Sequence, residues 1–216
     1  MNKKRFAALL TAAMLLLCGS AQAIGNNLFT NLKYGTLTPY ENRVYGYSLD
    51  VYSRFGVLSD ENVAALLEES DKEAAESGED GEYIYDLRVW SSPDKKYIFE
   101  VQVKEPTCES FEQEIEAAPH YMEKIQDQFT PEQQLTQLHD GILRDTPVGQ
   151  MLEIAYSYTY VYESGTAEPN LAVYYDYYGE DYEYIFLVHA INGDYESAQK
   201  LLDTMVQTVS IWETEQ

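Results

Sequence analysis

The chain of 216 residues carries 37 Asp and Glu against 14 Lys and Arg, a formal net charge of −23. That excess of acid repels phosphodiester backbones and anionic lipid surfaces, which excludes nucleic-acid binding and electrostatic docking to membranes. Two cysteines, one of them in the N-terminal leader, leave the mature chain no internal disulfide and no Cys-rich metal site, so a packed core must stabilise it.

The leader reads MNKKRFAALLTAAMLLLCGSAQA. Lys3, Lys4 and Arg5 precede an apolar run, Phe6 to Leu17, and Ala21-Gln22-Ala23 is a small-x-small cleavage site. This is the layout of a bacterial secretory signal peptide over residues 1–23, and it predicts a secreted, extracellular protein starting at Ile24. The run is shorter than the roughly 20 residues a spanning helix needs, and no later stretch is long enough either. Cys18 opens a second reading, a lipid-anchored protein, against which Leu17 stands where a lipidation signal wants a small residue.

Residues 24–39 are weakly patterned and read as a loosely ordered leader to a single domain over 40–216. The stretch RVYGYSLDVY (43–52) alternates as a strand. Ser59 is placed to cap a helix over Asp60 to about Ser77, with Val63, Leu66 and Leu67 on its apolar side and acids in its first turn. ESGEDGE (76–82) breaks that helix, and Glu79, Asp80 and Glu82 in it form a weak cation candidate without the full spacing of a calcium loop. Two strands follow, Glu82–Trp90 and Lys96–Lys104, joined by a type I turn at Ser92-Pro93-Asp94-Lys95. Pairing Val89 with Phe99 would gather Tyr85, Leu87, Val89, Phe99, Val101 and Val103 on one face and set Arg88 opposite Glu100.

The lone mature cysteine, Cys108, has no base or positive field in its local sequence and reads as an idle thiol. Phe111, Ile115, Ala118, Met122, Ile125 and Phe129 recur at helical spacing, with Pro119 predicting a kink or two abutting helices over about 109–128. Thr130-Pro131-Glu132-Gln133 looks like a short helix start. Strand sequence follows from about His139 to Arg144 and again over 152–162. In YYDYYGEDYEYIFLVHA (174–190) a two-residue turn at Gly179-Glu180 would pair Tyr177 with Tyr182, Tyr175 with Tyr184 and Val173 with Phe186. Deeper in this hairpin both faces are apolar, which calls for helices on both sides of the sheet. Asp194 caps a closing helix whose buried stripe is Ala198, Leu201, Leu202, Met205 and Val209.

YGYSLDVYSRFG, the hairpin ahead of an amphipathic helix, YYGEDYEYIFLVHA and the closing AQKLLDTMVQTVSI resemble the PsbP/Mog and DcrB-like family over residues 40 to 212. The resemblance implies an α+β fold, an antiparallel sheet between helices, and a small non-enzymatic module, often exported, whose partners differ from member to member. It supplies no catalytic residue to carry over, and the proline that bacterial members place after the first strand is replaced here by Tyr52-Ser53.

Searching for chemistry gives the same answer. His120, His139 and His189 are scattered, with no HExxH, glycine-rich phosphate loop or Gly-x-Ser-x-Gly. His189 reads as a packing histidine with its ring nitrogens satisfied. No catalytic residue and no cofactor are therefore expected. The expected function is an exported binding module whose partner is a protein or envelope component. A cation is a further candidate ligand. The competing reading is an extracellular hydrolase or glycan-binding protein using surface carboxylates and tyrosines. The hairpin tip, with Asp176, Glu180, Asp181 and Glu183 crowded together, is the candidate contact surface.

Overall fold

The computed structural model describes residues 33–77, 84–106, 108–126, 129, 131–161 and 165–213. Most of this is antiparallel strand, and helices are few. Strands β1 (Leu37–Asn42), β2 (Tyr47–Tyr52) and β11 (Ser210–Ile211) form a small sheet in the order β1-β2-β11. A second, eight-stranded sheet runs β3 (Gly56–Val57), β4 (Ile84–Ser91), β5 (Tyr97–Lys104), β10 (Glu183–Ile191), β9 (Ala167–Tyr178), β8 (Gly149–Val161) and β6 (Thr136–Gln137), with β7 (Ile142–Thr146) also on β8. Two sheets thus stand where one was expected, because β2 pairs with β1 and β11 and only the two-residue β3 reaches the large sheet.

Helix α1 spans Asp60–Ser77 as predicted, with the amide of Asn62 donating to Ser59 Oγ. Pro119 divides the next helical stretch into α2 (Phe111–Ala117), a 3-10 turn (Ala118–His120) and α3 (Tyr121–Ile125). A proline has no N–H for the helix ladder and crowds the preceding carbonyls, so two abutting pieces result. Helix α4 (Tyr195–Val206) opens on Asp194, whose side chain accepts from the Ser197 amide. Thr136 and Gln137 form β6 and Ile142–Thr146 form β7, where a single strand was expected from His139.

The large sheet buries apolar groups on both faces. On one face Phe99, Val101, Val173, Tyr175, Tyr184 and Phe186 cluster with Leu201, Leu202 and Met205 of α4 and with Tyr47, Leu49 and Val51 of β2. Tyr34 belongs to this cluster, so the core reaches into the segment read as a loose leader. On the other face Leu87, Val89, Ile98, Ile154, Tyr156 and Leu187 cluster with Val63 and Leu66 of α1 and with Ala118, Tyr121 and Ile125.

Both hairpin registers differ from expectation. In the first, Trp90 faces Phe99 and Val89 faces Glu100, a slip of one residue. The type I turn forms, with the Lys95 amide donating to the Ser92 carbonyl, but Lys95 then takes a positive φ of 54°. Four residues instead of three separate Ser92 from Tyr97, and that shift exchanges the faces of β4. Trp90 now stacks on Phe99 at 5.5 Å, while Leu87 and Val89 turn to the opposite cluster. Arg88 pairs with Asp60 and Asp86 in place of Glu100.

In the second hairpin Tyr178 faces Glu183 and Tyr177 faces Tyr184, a slip of two. The loop is Gly179 to Tyr182, closed by the Gly179 amide on the Tyr182 carbonyl at 2.9 Å. Gly179 has no positive φ, so it is not the first residue of a II′ turn; a Cβ there would lie 2.8 Å from the Tyr182 carbonyl oxygen, and the site requires glycine for space. Because the slip is even, Tyr175, Tyr177, Tyr184 and Phe186 still share a face.

Candidate functional site

The predicted acidic tip divides into two environments. Glu180 and Asp181 are exposed, whereas Asp176 and Glu183 are 3% and 1% exposed on the α1 face of the sheet. The four-residue loop moves Glu183 off the tip and into the ladder, opposite Lys104. Lys104 Nζ lies 2.5 Å from Glu183 Oε1, both side chains almost fully buried. Burial, then the Glu183 charge, holds the Asp176 carboxyl well above the usual carboxylate range. Glu114 from α2 adds to the same field and accepts from the Cys108 thiol at 2.9 Å. Cys108 is also tied through its backbone amide and carbonyl to the Tyr178 hydroxyl. The second candidate, Glu79, Asp80 and Glu82, lies outside the described residues. Among the described residues no group of three or more His, Cys, Asp or Glu is arranged to hold a metal ion.

The sequence reading missed a cluster around Glu153, a fully buried carboxylate on β8. It accepts from His139 Nε2 at 3.0 Å, from Arg144 Nε at 2.6 Å and from the Tyr195 hydroxyl. His139 is thus not isolated. Its Nδ1 takes the Gly141 amide at 3.2 Å, which fixes Nε2 as the protonated nitrogen. With both ring nitrogens committed, His139 has no lone pair for a substrate, and the cluster works as a clip fastening the β6–β7 loop and α4 to β8. Alternation along β8 gives no hint, because Glu153 shares its side of the strand with Ala155, Ser157 and Thr159 and looks like an ordinary polar residue among small ones.

His189 is the reverse case. It is 1% exposed, and neither Nδ1 nor Nε2 has a hydrogen-bond partner. Its Nε2 stands 3.7 Å from Glu100 Oε1, a separation that would count as an ion pair were the ring charged but is too long for a hydrogen bond. Burial pushes the ring down to about 3 and the Glu100 carboxyl up to about 7. Both groups are therefore neutral in mildly acidic solution, and the ion-pair reading fails. The expectation of a satisfied packing histidine is corrected: the ring is packed but unsatisfied.

Three tyrosines form a cluster that reaches the surface at Tyr85. Tyr45 from the β1–β2 turn and Tyr85 at the β4 bulge each meet Tyr182 of the β9–β10 loop edge to face: Tyr85–Tyr182 at 5.4 Å and 74°, Tyr45–Tyr182 at 5.7 Å and 86°. Tyr45 donates its hydroxyl to the Tyr85 carbonyl, and Tyr184 donates to the Tyr45 carbonyl. Tyr85 is 37% exposed and the neighbouring Val44 71%, against the expectation that Tyr85 would be buried. A bulge between Ile84 and Asp86 turns Tyr85 outward. Its rings are inclined, where a sugar-stacking platform needs them coplanar. The exposed acids Glu180 and Asp181 occupy the same loop as Tyr182.

No family model and no curated protein matches the sequence. The fold, by contrast, is similar to solved structures. The solution structure of cyanobacterial PsbP (CyanoP) from Synechocystis is similar with a TM-score of 0.51 and 12% identity, covering 90% of this chain and 99% of that one. The Ran-binding protein Mog1p of Saccharomyces cerevisiae aligns with a TM-score of 0.45 and 11% identity, covering 82% and 95%. The chain therefore has a PsbP-like fold.

Proposed function

We propose that this chain is an exported, non-enzymatic binding module. Its contact surface is the tyrosine corner of Tyr45, Tyr85 and Tyr182 beside Glu180 and Asp181, and its partner is a protein presenting a basic surface. The observation that carries the reading is the inclined aromatic cluster, exposed at Tyr85 and half-buried at Tyr45 and Tyr182, next to two exposed carboxylates. Tyrosines held by their neighbours lose little side-chain entropy on contact and are enriched among residues that dominate interfaces. Carboxylates at the rim, on a chain of net charge −23, favour arginine and lysine opposite. The clip at Glu153 supports the absence of turnover, since the group most like catalytic machinery is occupied internally. We read α4 and β2 on one face, with α1 and residues 111–125 on the other, as the outer layers of a three-layer sandwich.

Two measurements test this. Captured from envelope and medium fractions, a basic partner should bind the Tyr85→Ala and Glu180→Lys/Asp181→Lys variants at least about tenfold more weakly, roughly the cost of losing one dominant contact. Unchanged capture by both variants, with unchanged melting, would place the contact surface elsewhere. Intact mass of the exported protein should correspond to a start at Ile24. A diacylated Cys18 would make it a lipoprotein.

A further inference from the structure

Among the described residues, eight buried side-chain polar atoms have no hydrogen-bond partner. Six of them belong to four residues on the α1 face: Glu100 Oε1, the Tyr156 hydroxyl, Asn170 Nδ2 and Oδ1, and His189 Nδ1 and Nε2. The strand registers place Tyr156, Asn170 and His189 around one alanine, with Glu100 on the far side of His189. His189, Ala172 and Tyr156 are direct cross-strand neighbours on β10, β9 and β8. Asn170 is two residues from Ala172 on the same face of β9, opposite Tyr158. Glu100 on β5 lies diagonally beside His189, within 3.7 Å.

Neighbouring strands are about 4.8 Å apart, so the Cα atoms of His189 and Tyr156 stand roughly 10 Å from each other with only a methyl group between them. The small side chain of Ala172 thus lies between an imidazole and a phenol, with an amide two residues along β9 and a carboxyl beyond the imidazole. Rings of Tyr121 and Phe129 pack against Tyr156 from the helical side at 6.4 and 6.2 Å. Each of the four residues is 3% exposed or less.

Orphaned polar groups are costly in a core, and native proteins satisfy them with one another or with bound solvent. Here the four do not satisfy one another. An imidazole, a phenol and an amide each offer both a donor and an acceptor, and so does a neutral carboxyl. We propose that Glu100, Tyr156, Asn170 and His189 enclose an internal binding niche over Ala172 that takes a small neutral hydroxylic ligand: ordered water, or a small alcohol entering in its place. A charged ligand does not suit it, since none of the four side chains is a lysine or arginine that could balance an anion. Apolar ligands would leave all six atoms unpaired.

The sign of one substitution separates this from a dry interior. Tyr156→Phe removes only the hydroxyl. If that hydroxyl is an orphan, its loss relieves a desolvation cost and raises the melting temperature. If it binds a ligand, the loss leaves that ligand short of a partner and lowers the melting temperature. The proposal expects a lower melting temperature for Tyr156→Phe and for Asn170→Leu. An unchanged or higher value in both overturns it. A crystal structure of the unsubstituted protein provides the second readout, which does not depend on any variant folding. Ordered density within hydrogen-bonding distance of at least two of the four groups is expected, with glycerol density replacing it in a soak if alcohols enter. Side chains rotated into direct contact with one another, with no density between them, overturn the proposal.

Discussion

Replacing Lys104 with methionine is expected to destabilise the protein by about 3–5 kcal/mol at neutral pH, the usual cost of stripping one partner from a buried ion pair. Lys104 Nζ sits 2.5 Å from Glu183 Oε1 with both side chains at or below 4% exposure. Beside them Asp176 is also buried, and Glu114 contributes its charge from α2. Without the ammonium, Glu183 must stay charged against Asp176 in a low-dielectric core or take up a proton. The loss should therefore shrink as pH is lowered. The double variant Lys104→Met/Glu183→Leu should recover much of the stability, because it removes both charges together. Urea unfolding at pH 5 and pH 7.5 measures all four species of the cycle. A single-variant loss under 1 kcal/mol would mean that the pair is hydrated and acts as a surface bridge.

The second large effect is a pair of opposed pH dependences. Burial raises Glu100 to about 7 from 4.5. Its contribution is complete below the unfolded value and is lost as pH rises through 7, a total of about 3 kcal/mol at 1.36 kcal/mol per unit. His189 is lowered to about 3 from 6.5. Its contribution is complete above 6.5 and is lost as pH falls toward 3, about 5 kcal/mol over the whole span and about 3 kcal/mol of it by pH 4.5. Between pH 4.5 and 6.5 the folded and unfolded chains each hold one proton on this pair, so the two slopes offset and the unsubstituted protein hides them. Single substitutions should unmask them. Relative to the parent, Glu100→Gln should gain about 3 kcal/mol on going from pH 4.5 to pH 7, and His189→Phe should gain about 3 kcal/mol on going from pH 6.5 to pH 4.5. The groups facing the pair, Tyr156, Asn170 and Gln102, are the same in every species. Parallel profiles for parent and variants would show that the two side chains titrate as they do in water.

How far the sequence carried this structure depended on how many faces of each segment were dry. Helices α1 and α4 were legible to within a residue or two, since each has one wet side and a capping residue, Ser59 or Asp194, at its start. Pro119 announced its own interruption. The hairpins were harder. β4 and β5 are buried on both faces, so alternation could not choose between Val89 and Trp90 as the partner of Phe99, and the left-handed Lys95 that decides the matter carries no glycine or asparagine to betray it. In β9–β10 an error of two residues kept every face correct but misplaced the acids: Glu183 looked like part of a solvated tip and is instead the counter-ion of Lys104. The niche was hidden for a related reason. In the sequence Asn170 ends a polar run and Glu100 can stand opposite Arg88, and neither looks unusual until the sheet sets it near His189.

The bulge at Tyr85 bears on how this protein tolerates its own concentration. Among the described residues β3 pairs with the outer side of β4 at Trp90 and Ser91, and the Leu58 amide adds a bond to the Val89 carbonyl. An uncovered run of strand edge is a template on which a second molecule can add a strand, the first step toward fibrous aggregates. Here the bulge between Ile84 and Asp86 breaks the regular spacing of backbone groups along that edge, and the Tyr45 hydroxyl already occupies the Tyr85 carbonyl. An incoming strand would find its register interrupted and one acceptor taken. The corner therefore works against identical copies joining edge to edge.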